Sequence, residues 1–360
     1  MVDNPLKSCA LNFISGRIRL LNKEHNLEDG ELNMGYHIFL VGENNFDICI
    51  KKGVYGGIQS HGSVKSNQIN SEVIAGFAGI KVGDFAFFYV KNKGIYGLWK
   101  IAFEPFHDVT PIWNDPDQVY PYRILFEPIV RKFLTPVAMA DVLDLRDKGK
   151  IWTFDLGPIT KKSHQPITTN EGKELLRLLL RNNPIFVEPD IIPDPYLPSK
   201  RNPLPLTLDC DNNGRLKYEG YLNAWFMQAF AKGRLKSLIG DYRDFLNFVP
   251  TSFNKVMDIF LTHVTTIDSV DILHKFTCME LKAGMVSEDD LNQIIKYENW
   301  LIRKLADGDS EMVQSILVGI KFDDKVIEYR NKRKAIEEKT VRLIQYKVNE
   351  DKCDITLIEI

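Results

Sequence analysis

The sequence lacks the features that identify several large protein classes. Its 5 cysteines are scattered over 360 residues without a CxxC pair, so neither a zinc ribbon nor a disulfide framework is indicated. No apolar run reaches the roughly 18 residues of a membrane span, and Met1 to Leu20 lack the basic and apolar sections of a signal peptide. We therefore expect a cytoplasmic protein with no membrane partner.

An excess of one charge and several catalytic motifs are missing as well. The net charge is −2, so a nucleic acid would have to be met by local basic patches. Neither GxxxxGK[ST] nor GxGxxG occurs, which leaves nucleotide hydrolysis and a Rossmann cofactor unsupported. The 7 histidines form no HExxH motif, and no nucleophile elbow points to Ser-His-Asp catalysis.

A proline-rich stretch divides the chain. Its prolines are Pro184, Pro189, Pro193, Pro195, Pro198, Pro203 and Pro205. Proline at this density does not fit helices or central strands, and it predicts an extended, semi-rigid linker over residues 183–213. The alternative is a loop folded onto one domain. With the linker, the length predicts two domains, at residues 1–182 and 214–360.

The half before the linker favours a small β-barrel. The predicted strands are Tyr36–Val41, Phe85–Val90, Ile95–Ile101 and Tyr122–Phe126, and the predicted helices are Asn45–Lys51 and Glu171–Arg181. Asn92-Lys93-Gly94 predicts a tight hairpin turn, and Asn170 is the expected N-cap of the second helix. Many short strands with few helices are typical of a barrel.

The half after the linker favours an α/β arrangement. The predicted helices are Tyr218–Lys232 and Glu288–Leu305, and the predicted strands are Val256–Val264, Thr266–Leu273, Phe276–Leu281, Met312–Lys321 and Val341–Val348. Ser287 is the expected N-cap of the second helix, and Asp290 completes a capping box. A helix, a hairpin, a second helix and a further strand in this order make up that α/β arrangement.

A polar cluster in this half predicts hydrolysis of phosphodiester bonds. Asp271 is expected to end one strand of a hairpin that brings it opposite Glu280 and Lys282 on the return strand. Two carboxylates and the Leu281 carbonyl oxygen are ligands that suit Mg²⁺ or Mn²⁺. The metal lowers the pKa of a bound water, and Lys282 orients or deprotonates that water or neutralises the developing charge.

Neighbouring residues support this prediction. Gln293 and Tyr297 are four residues apart and share a helix face, where they can hold the phosphate and the lysine. Glu219 begins the first helix after the linker and can add an acidic contact to the metal. The alternative is a chance match, since Glu and Lys often alternate on exposed strands.

These segments resemble a known nuclease family. Val270–Leu273, Met279–Gly284, Gln293–Leu301 and Val313–Val318 are similar to the PD-(D/E)xK nuclease core, in particular to the C-terminal domain of the NucS/EndoMS endonucleases. The resemblance implies metal ligands at Asp271 and Glu280, a catalytic Lys282, and supporting Glu219, Gln293 and Tyr297. The N-terminal half does not look like that family, so mismatch specificity is not carried over.

The N-terminal half resembles a second family. Phe39–Gly42, Gly53–Gly56, Lys81–Tyr89, Gly94–Ile101, Pro111–Trp113 and Tyr120–Ile124 are similar to the EVE domain of the PUA-like superfamily, related to YTH and SRA modules. The resemblance spans residues 33–182 and implies a pocket for a flipped-out base. The candidate aromatic walls are Tyr55, Trp99, Trp113 and Tyr122, and the candidate polar readers are Asn45, Ser60, His61 and Arg123. The alternative is that the aromatic residues form the barrel core.

Together these features predict a two-domain α+β and α/β protein: a PUA-like barrel followed by a restriction-endonuclease-like domain. We expect a Mg²⁺-dependent endonuclease that restricts double-stranded DNA, reads a modified cytosine by base flipping, and acts as a homodimer. One alternative is a NucS-like endonuclease for mismatched or branched DNA. Another is a non-catalytic reader of modified nucleic acid.

Overall fold

The computed structural model describes residues 34–115, 117–127, 129–130, 133–156, 162–185, 190–337 and 339–360. Over this part the chain is a mixed α/β protein with eight helices. None of the helices described is both long and apolar enough to cross a bilayer.

Two four-stranded sheets form the N-terminal half. In chain order its elements are β1 (Tyr36–Val41), α1 (Glu43–Lys52), β2 (Val54–Gln59), α2 (Ser66–Ala78), β3 (Phe85–Val90), β4 (Gly94–Lys100), β5 (Phe106–His107), β6 (Val119–Leu125), β7 (Ile129–Val130), α3 (Met139–Asp147), β8 (His164–Ile167), α4 (Thr169–Asn182), β9 (Asp190–Ile191) and β10 (Asn202–Pro203). The strand orders are β4-β3-β1-β8 and β10-β5-β6-β2. The sheets share one aromatic core, and an Ile101–Phe126 bridge joins them at one corner.

The predicted strands of this half are confirmed, and one helix start is corrected. Asn92 turns the chain between β3 and β4 with φ of 63°. The N-cap of α4 is Thr168, not Asn170 as predicted. The Thr168 hydroxyl accepts from the Glu171 N–H, and the Glu171 carboxylate accepts from the Thr168 N–H, so this reciprocal capping box starts the helix earlier.

A six-stranded sheet between two helices forms the C-terminal half. Its elements are α5 (Glu219–Ala231), α6 (Lys236–Ile239), β11 (Asp244–Pro250), β12 (Val256–Ile267), β13 (Val270–Leu281), β14 (Met285–Val286), α7 (Glu288–Leu305), a 3₁₀ turn (Ser310–Met312), β15 (Val313–Gly319), β16 (Lys321–Phe322), α8 (Asp324–Glu337), β17 (Arg342–Val348) and β18 (Ile355–Glu359). The strand order is β11-β12-β13-β15-β17-β18. The β13–β15 and β15–β17 pairs are parallel, and α5 and α7 cover opposite faces.

The predicted hairpin is wrong in one respect that matters for the site. β12 continues to Ile267, the chain turns at Asp268 and Ser269, and β13 is a single strand from Val270 to Leu281, with a β-bulge where the register shifts opposite His263 and Val264. Both turn residues have positive φ, as a two-residue hairpin turn requires. Asp271 therefore lies on the same strand as Glu280, nine residues away, which is about 30 Å along an extended strand.

Residues 190–213 of the proline-rich segment contact both halves. The Tyr196 N–H donates to the Lys52 carbonyl at 2.7 Å, and β10 pairs with β5. Leu204 is buried in the barrel core, Leu206 contacts both cores, and Leu208 is buried in the C-terminal half. The segment does not space the halves apart. The boundaries at residues 182 and 213 stay predictions.

Helices α2 and α5 form the junction between the halves. A Cβ on Gly220 would lie 2.3 Å from the Ser71 Oγ, so the two helices approach as closely as only glycine permits. Asn247 donates to the Ala75 carbonyl at 3.0 Å and to the Asn223 side chain at 2.9 Å. Residues 34–360 accordingly form one compact unit.

Candidate functional site

Asp258 and Glu280 lie opposite each other on neighbouring strands. Ile259 pairs with Met279 and Phe260 with Cys278, so the same register continued by one residue sets Asp258 across from Glu280. Strand alternation puts both carboxylates on the sheet face that α7 covers. The Leu281 N–H donates to Asp258 Oδ2 at 2.7 Å. Asp258 is a site residue that the sequence analysis missed.

Four of the predicted catalytic residues are brought together around this pair. The Lys282 Nζ lies 2.7 Å from Glu280 Oε1 and 4.0 Å from Glu219 Oε1. From α7, the Gln293 Nε2 donates to Glu280 Oε1 at 2.7 Å and to the Tyr297 hydroxyl at 2.9 Å. We call Glu219, Asp258, Glu280, Lys282, Asp290, Gln293 and Tyr297 the carboxylate cluster.

Asp290 joins this cluster from the start of α7. Its Oδ1 lies 3.6 Å from the Lys282 Nζ, while its Oδ2 accepts from the Ser287 N–H in the predicted capping box. The same capping box that starts α7 thus fixes a carboxylate beside the lysine. This second role of Asp290 has no signal in the sequence.

Burial sets the protonation of the cluster. Burial raises the pKa of Glu280, and burial with the neighbouring Glu280 and Glu219 carboxylates raises the pKa of Asp258 well above its usual range. Burial by itself would lower the pKa of Lys282, but the carboxylates of Glu280, Glu219 and Asp258 outweigh it and raise that pKa. Lys282 is therefore a protonated donor at neutral pH, which argues against the predicted role of deprotonating water.

The cluster fits a hard cation by the chemistry of its donors. Glu280 is 2% exposed, and its Oε2 has no hydrogen-bond partner within the described part of the chain. A buried carboxylate oxygen without a partner is costly, and a metal ion would satisfy it. No group of three His, Cys, Asp or Glu side chains in the described residues is already arranged to hold a metal. The Lys282 ammonium lies among the carboxylates instead.

Asp271 is not part of this cluster. Its carboxylate forms an ion pair with the Arg243 guanidinium at 2.6 Å and accepts from the Thr266 hydroxyl at 2.8 Å. These two bonds hold the pKa of Asp271 at about 2. The predicted metal-ligand role of Asp271 is therefore corrected, because the single strand β13 carries it to the far end of the strand from Glu280. Leu281 is not one of the cluster residues, but its N–H donates to Asp258 Oδ2. The predicted role of its carbonyl oxygen stays a prediction.

The predicted aromatic walls are core residues of the barrel. Tyr55, Trp99, Trp113 and Tyr122 are all buried in the shared core. The Tyr55 hydroxyl lies 2.8 Å from the Ser163 carbonyl oxygen. Arg123 is buried as well, donates to the Asp108 and Thr110 carbonyls, and lies 4.6 Å from the Trp113 ring. Burial lowers the pKa of Arg123 to about 10.

Several polar side chains lie around the Trp113 and Tyr120 rings. The Trp113 and Tyr120 ring centroids are 5.1 Å apart. The Tyr120 hydroxyl donates to Asp115 Oδ2 at 3.1 Å or Gln118 Oε1 at 2.9 Å. Burial and the Asp115 carboxylate raise the pKa of Tyr120, and a hydrogen bond with Asn45 only partly offsets that rise. We call Asn45, Trp113, Asp115, Gln118 and Tyr120 the Trp113 mouth. Only Asn45 and Trp113 of this set were predicted.

Ser60 and His61 lie at the end of β2. The Ser60 N–H donates to Asn70 Oδ1 at 2.7 Å, so α2 holds this turn, and His61 is exposed. Neither residue has a described contact with the Trp113 mouth. Their predicted role in reading a base edge stays a prediction.

Comparison with known proteins supports the second of the two resemblances, the one to the EVE domain. Residues 68–178 match the EVE domain. This match confirms the expected EVE, PUA-like character in that part of the chain. No curated protein matches the chain. A solved structure titled "Crystal structure of Mmi1 YTH domain complex with RNA" is similar over 44% of this chain and 88% of its own, with 14% identity and a TM-score of 0.29.

A signal for Asp258 is present in the sequence. It is the one charged residue in the run Met257–Leu261, whose other members are apolar and buried. A lone carboxylate in a central strand is unusual because burying its charge is costly, and such residues cluster at functional sites. Choosing Asp258 over Asp271 still required the pairing of β12 with β13.

Proposed function

We propose that this protein is a modification-dependent DNA endonuclease, with an EVE-like reader and a metal-dependent cutting site at the carboxylate cluster. The observation that carries the proposal is the buried Glu280 Oε2, which has no hydrogen-bond partner among the described residues, beside Asp258 and the protonated Lys282. A structural ion pair needs no third carboxylate and no unsatisfied oxygen. Such a set is typical of a site that awaits a cation and a phosphate.

Five residues of the cluster have a chemical task in this proposal. Asp258, Glu280 and Glu219 would hold Mg²⁺ or Mn²⁺ through carboxylate oxygens. When bound, the metal supplies a more acidic water and charge stabilisation at the phosphoryl oxygens. The Lys282 ammonium donates hydrogen bonds to the negative charge that develops on the phosphate. Gln293 fixes the Glu280 carboxylate, so the oxygen that Gln293 does not contact is the one left for the metal.

The EVE-like half is proposed to read a modified base, with a modified cytosine as the expected ligand. Its match to the EVE domain and the Trp113 mouth support this role. The mouth combines a tryptophan edge with amide, carboxylate and phenol groups, which can stack on a base and read its polar edge. Cutting both strands would require two such chains, so we propose a homodimer.

Cleavage of defined duplexes tests the proposal. Matched duplexes would carry cytosine, 5-methylcytosine, 5-hydroxymethylcytosine or its glucosylated form, with Mg²⁺ or with chelator. We expect Mg²⁺-dependent cleavage of modified duplexes by the wild type and by Asp271→Asn, and loss of cleavage in Asp258→Asn and Lys282→Ala. Equal cleavage of all duplexes, or cleavage only of added mismatched or branched DNA, would contradict modification dependence. Asp258→Asn activity at the wild-type level would contradict the site.

One observation favours a second candidate, the non-catalytic reader. The Lys282 ammonium already neutralises Glu280 at 2.7 Å, as a cation would. In that case the wild type would bind modified duplexes selectively in chelator and cut none of them in Mg²⁺ or Mn²⁺. Selective binding without cleavage would therefore replace the endonuclease proposal with this one.

A further inference from the structure

A short hairpin before α5 holds Arg215 beside the chain segment that follows β13. The Asp211 N–H donates to the Arg215 carbonyl at 2.9 Å, and Asp211 Oδ1 accepts from the Arg215 N–H at 3.1 Å. Gly214 turns the chain with φ of 76°. Local bonds on both sides of Arg215 thus fix its backbone, although it lies in a surface loop.

A tyrosine ties this hairpin to the end of β13. The Tyr346 hydroxyl donates to the Ala283 carbonyl at 2.7 Å and accepts from the Leu216 N–H at 3.4 Å. Ala283 follows Lys282 directly, and Leu216 follows Arg215. The buried hydroxyl therefore sets the distance between the arginine and the lysine. A Cβ on Gly284 would lie 3.5 Å from the Arg215 Nε, so the arginine side chain passes beside Gly284.

Arg215 approaches the cluster at Gly284, which lies two residues after Lys282. Arg215 is exposed, and among the residues described its guanidinium has no hydrogen bond and no ion pair within 4 Å. Lys282 differs, because it is engaged by three carboxylates. Arg215 is accordingly a cation placed next to the site and left available for an anion.

We propose that Arg215 binds a phosphate of the nucleic-acid backbone next to the phosphodiester bond that is cut. A cluster of four carboxylates and one lysine repels a phosphodiester even after a divalent cation binds. A guanidinium offers several N–H donors in a planar fork that matches phosphate oxygens. This assignment rests on the proposed nuclease function of the same cluster, but its binding arm can be tested without cleavage.

The test compares Arg215→Met, Arg215→Lys and Lys217→Met with the wild type. Methionine keeps the apolar stem beside Gly284 and removes the charge, and lysine keeps the charge without the fork. Lys217 is the matched control, since it lies on the same hairpin as an exposed cation 3.9 Å from Asp209. The readouts are kcat/KM on the duplex that the wild type cuts in Mg²⁺, and Kd in chelator for the duplex that the wild type binds most tightly, both over a series of salt concentrations.

We expect Arg215→Met to lose about tenfold to a hundredfold in kcat/KM, the value of one charge-assisted hydrogen bond. The slope of log Kd against log salt should fall by about one counterion, which loss of packing alone would not cause. Arg215→Lys should keep the salt slope and recover part of kcat/KM, and Lys217→Met should match the wild type.

An unchanged salt slope in Arg215→Met, or an equal loss in Lys217→Met, would overturn the assignment. The outcome is distinguishable from failure of the nuclease proposal. If the wild type cuts nothing, the chelator binding series still decides whether Arg215 contacts a phosphate. If the wild type cuts and Arg215→Met is unaffected in every readout, only the Arg215 assignment is lost.

Discussion

Asn247 of β11 donates a hydrogen bond to the side chain of Asn223 on α5, at 2.9 Å, deep in the junction between the halves. Asn247 also donates to the Ala75 carbonyl on α2, and Asn223 donates to the Asp258 carbonyl at 3.1 Å. Two buried amides therefore connect the EVE-like half to the strand that carries the Asp258 carboxylate. The EVE-like half and the carboxylate cluster are therefore joined by packed structure.

Asn247→Ala should weaken this junction. It leaves the Ala75 carbonyl and the Asn223 Oδ1 without their donor in a buried place, which costs about 1–3 kcal/mol. We expect that loss in the free energy of unfolding by urea denaturation. Asn67→Ala, which removes only an exposed 3.5 Å contact to Tyr218 in the same junction, should change it by less than about 0.5 kcal/mol. Equal effects of the two variants would contradict the buried link.

Gly220→Ala should destabilise the fold although alanine favours helices. The added Cβ would lie 2.7 Å from the Ser71 carbonyl carbon and 2.8 Å from the Glu72 nitrogen, so backbone would have to move. Overpacking of this kind costs about 1–3 kcal/mol. Gly76→Ala is the control, since its Cβ would meet the nearest atom only at 3.6 Å. That variant should be neutral or stabilised by up to about 1 kcal/mol in thermal unfolding.

Stabilisation by Mg²⁺ should depend on pH in a defined direction. The raised pKa values of Glu280 and Asp258 mean that protons compete with metal at a pH above the usual carboxylate range. The rise in Tm on adding Mg²⁺ should be full at high pH and lost as pH falls through those raised values. In chelator, the stability of the protein changes with pH in the opposite direction. A folded carboxyl that binds its proton more tightly than the unfolded one adds stability at low pH, and loses it as pH rises.

Lys282→Met should raise the pH at which half of the Mg²⁺-induced rise in Tm is lost, because the lysine charge lowers the pKa of Glu280. Lys325→Met is the matched control, since Lys325 forms an exposed ion pair with Glu288. Differential scanning fluorimetry over a pH series, with and without Mg²⁺, gives all the values. A Mg²⁺ shift that is independent of pH, or a control that moves as far as Lys282→Met, would contradict this account.

Substitutions at the Trp113 mouth and at Tyr55 should affect different properties. The first should change the preference for a modified base, and the second should change the stability of the fold. Asp115→Asn changes the acceptor beside the Tyr120 hydroxyl and should reduce the preference for modified over unmodified duplex in a binding assay. Tyr55→Phe removes a hydroxyl bonded to the Ser163 carbonyl and should cost about 1 kcal/mol of stability with the preference intact. If Tyr55→Phe reduced the preference for modified duplex and Asp115→Asn reduced only the stability, the base-reading site would be at Tyr55 and not at the Trp113 mouth.

The sequence determined the local features of this protein. The helix Glu288–Leu305 and its Ser287–Asp290 capping box follow the prediction residue for residue, because caps and periodicity depend on neighbours in the chain. The same locality put Glu280 and Lys282 on one strand face, and Gln293 and Tyr297 on one helix face. Those four residues meet in the structure as their spacing predicted.

The tertiary structure decided what depends on distant parts of the chain. Asp258, not Asp271, stands opposite Glu280, because strand register is set by pairing between β12 and β13 and by a turn two residues long. Tyr55, Trp99 and Tyr122 became core because two sheets close over them. Arg215 lies beside the cluster because the Tyr346 hydroxyl holds its neighbour Leu216, a contact across 130 positions of sequence that no local pattern encodes.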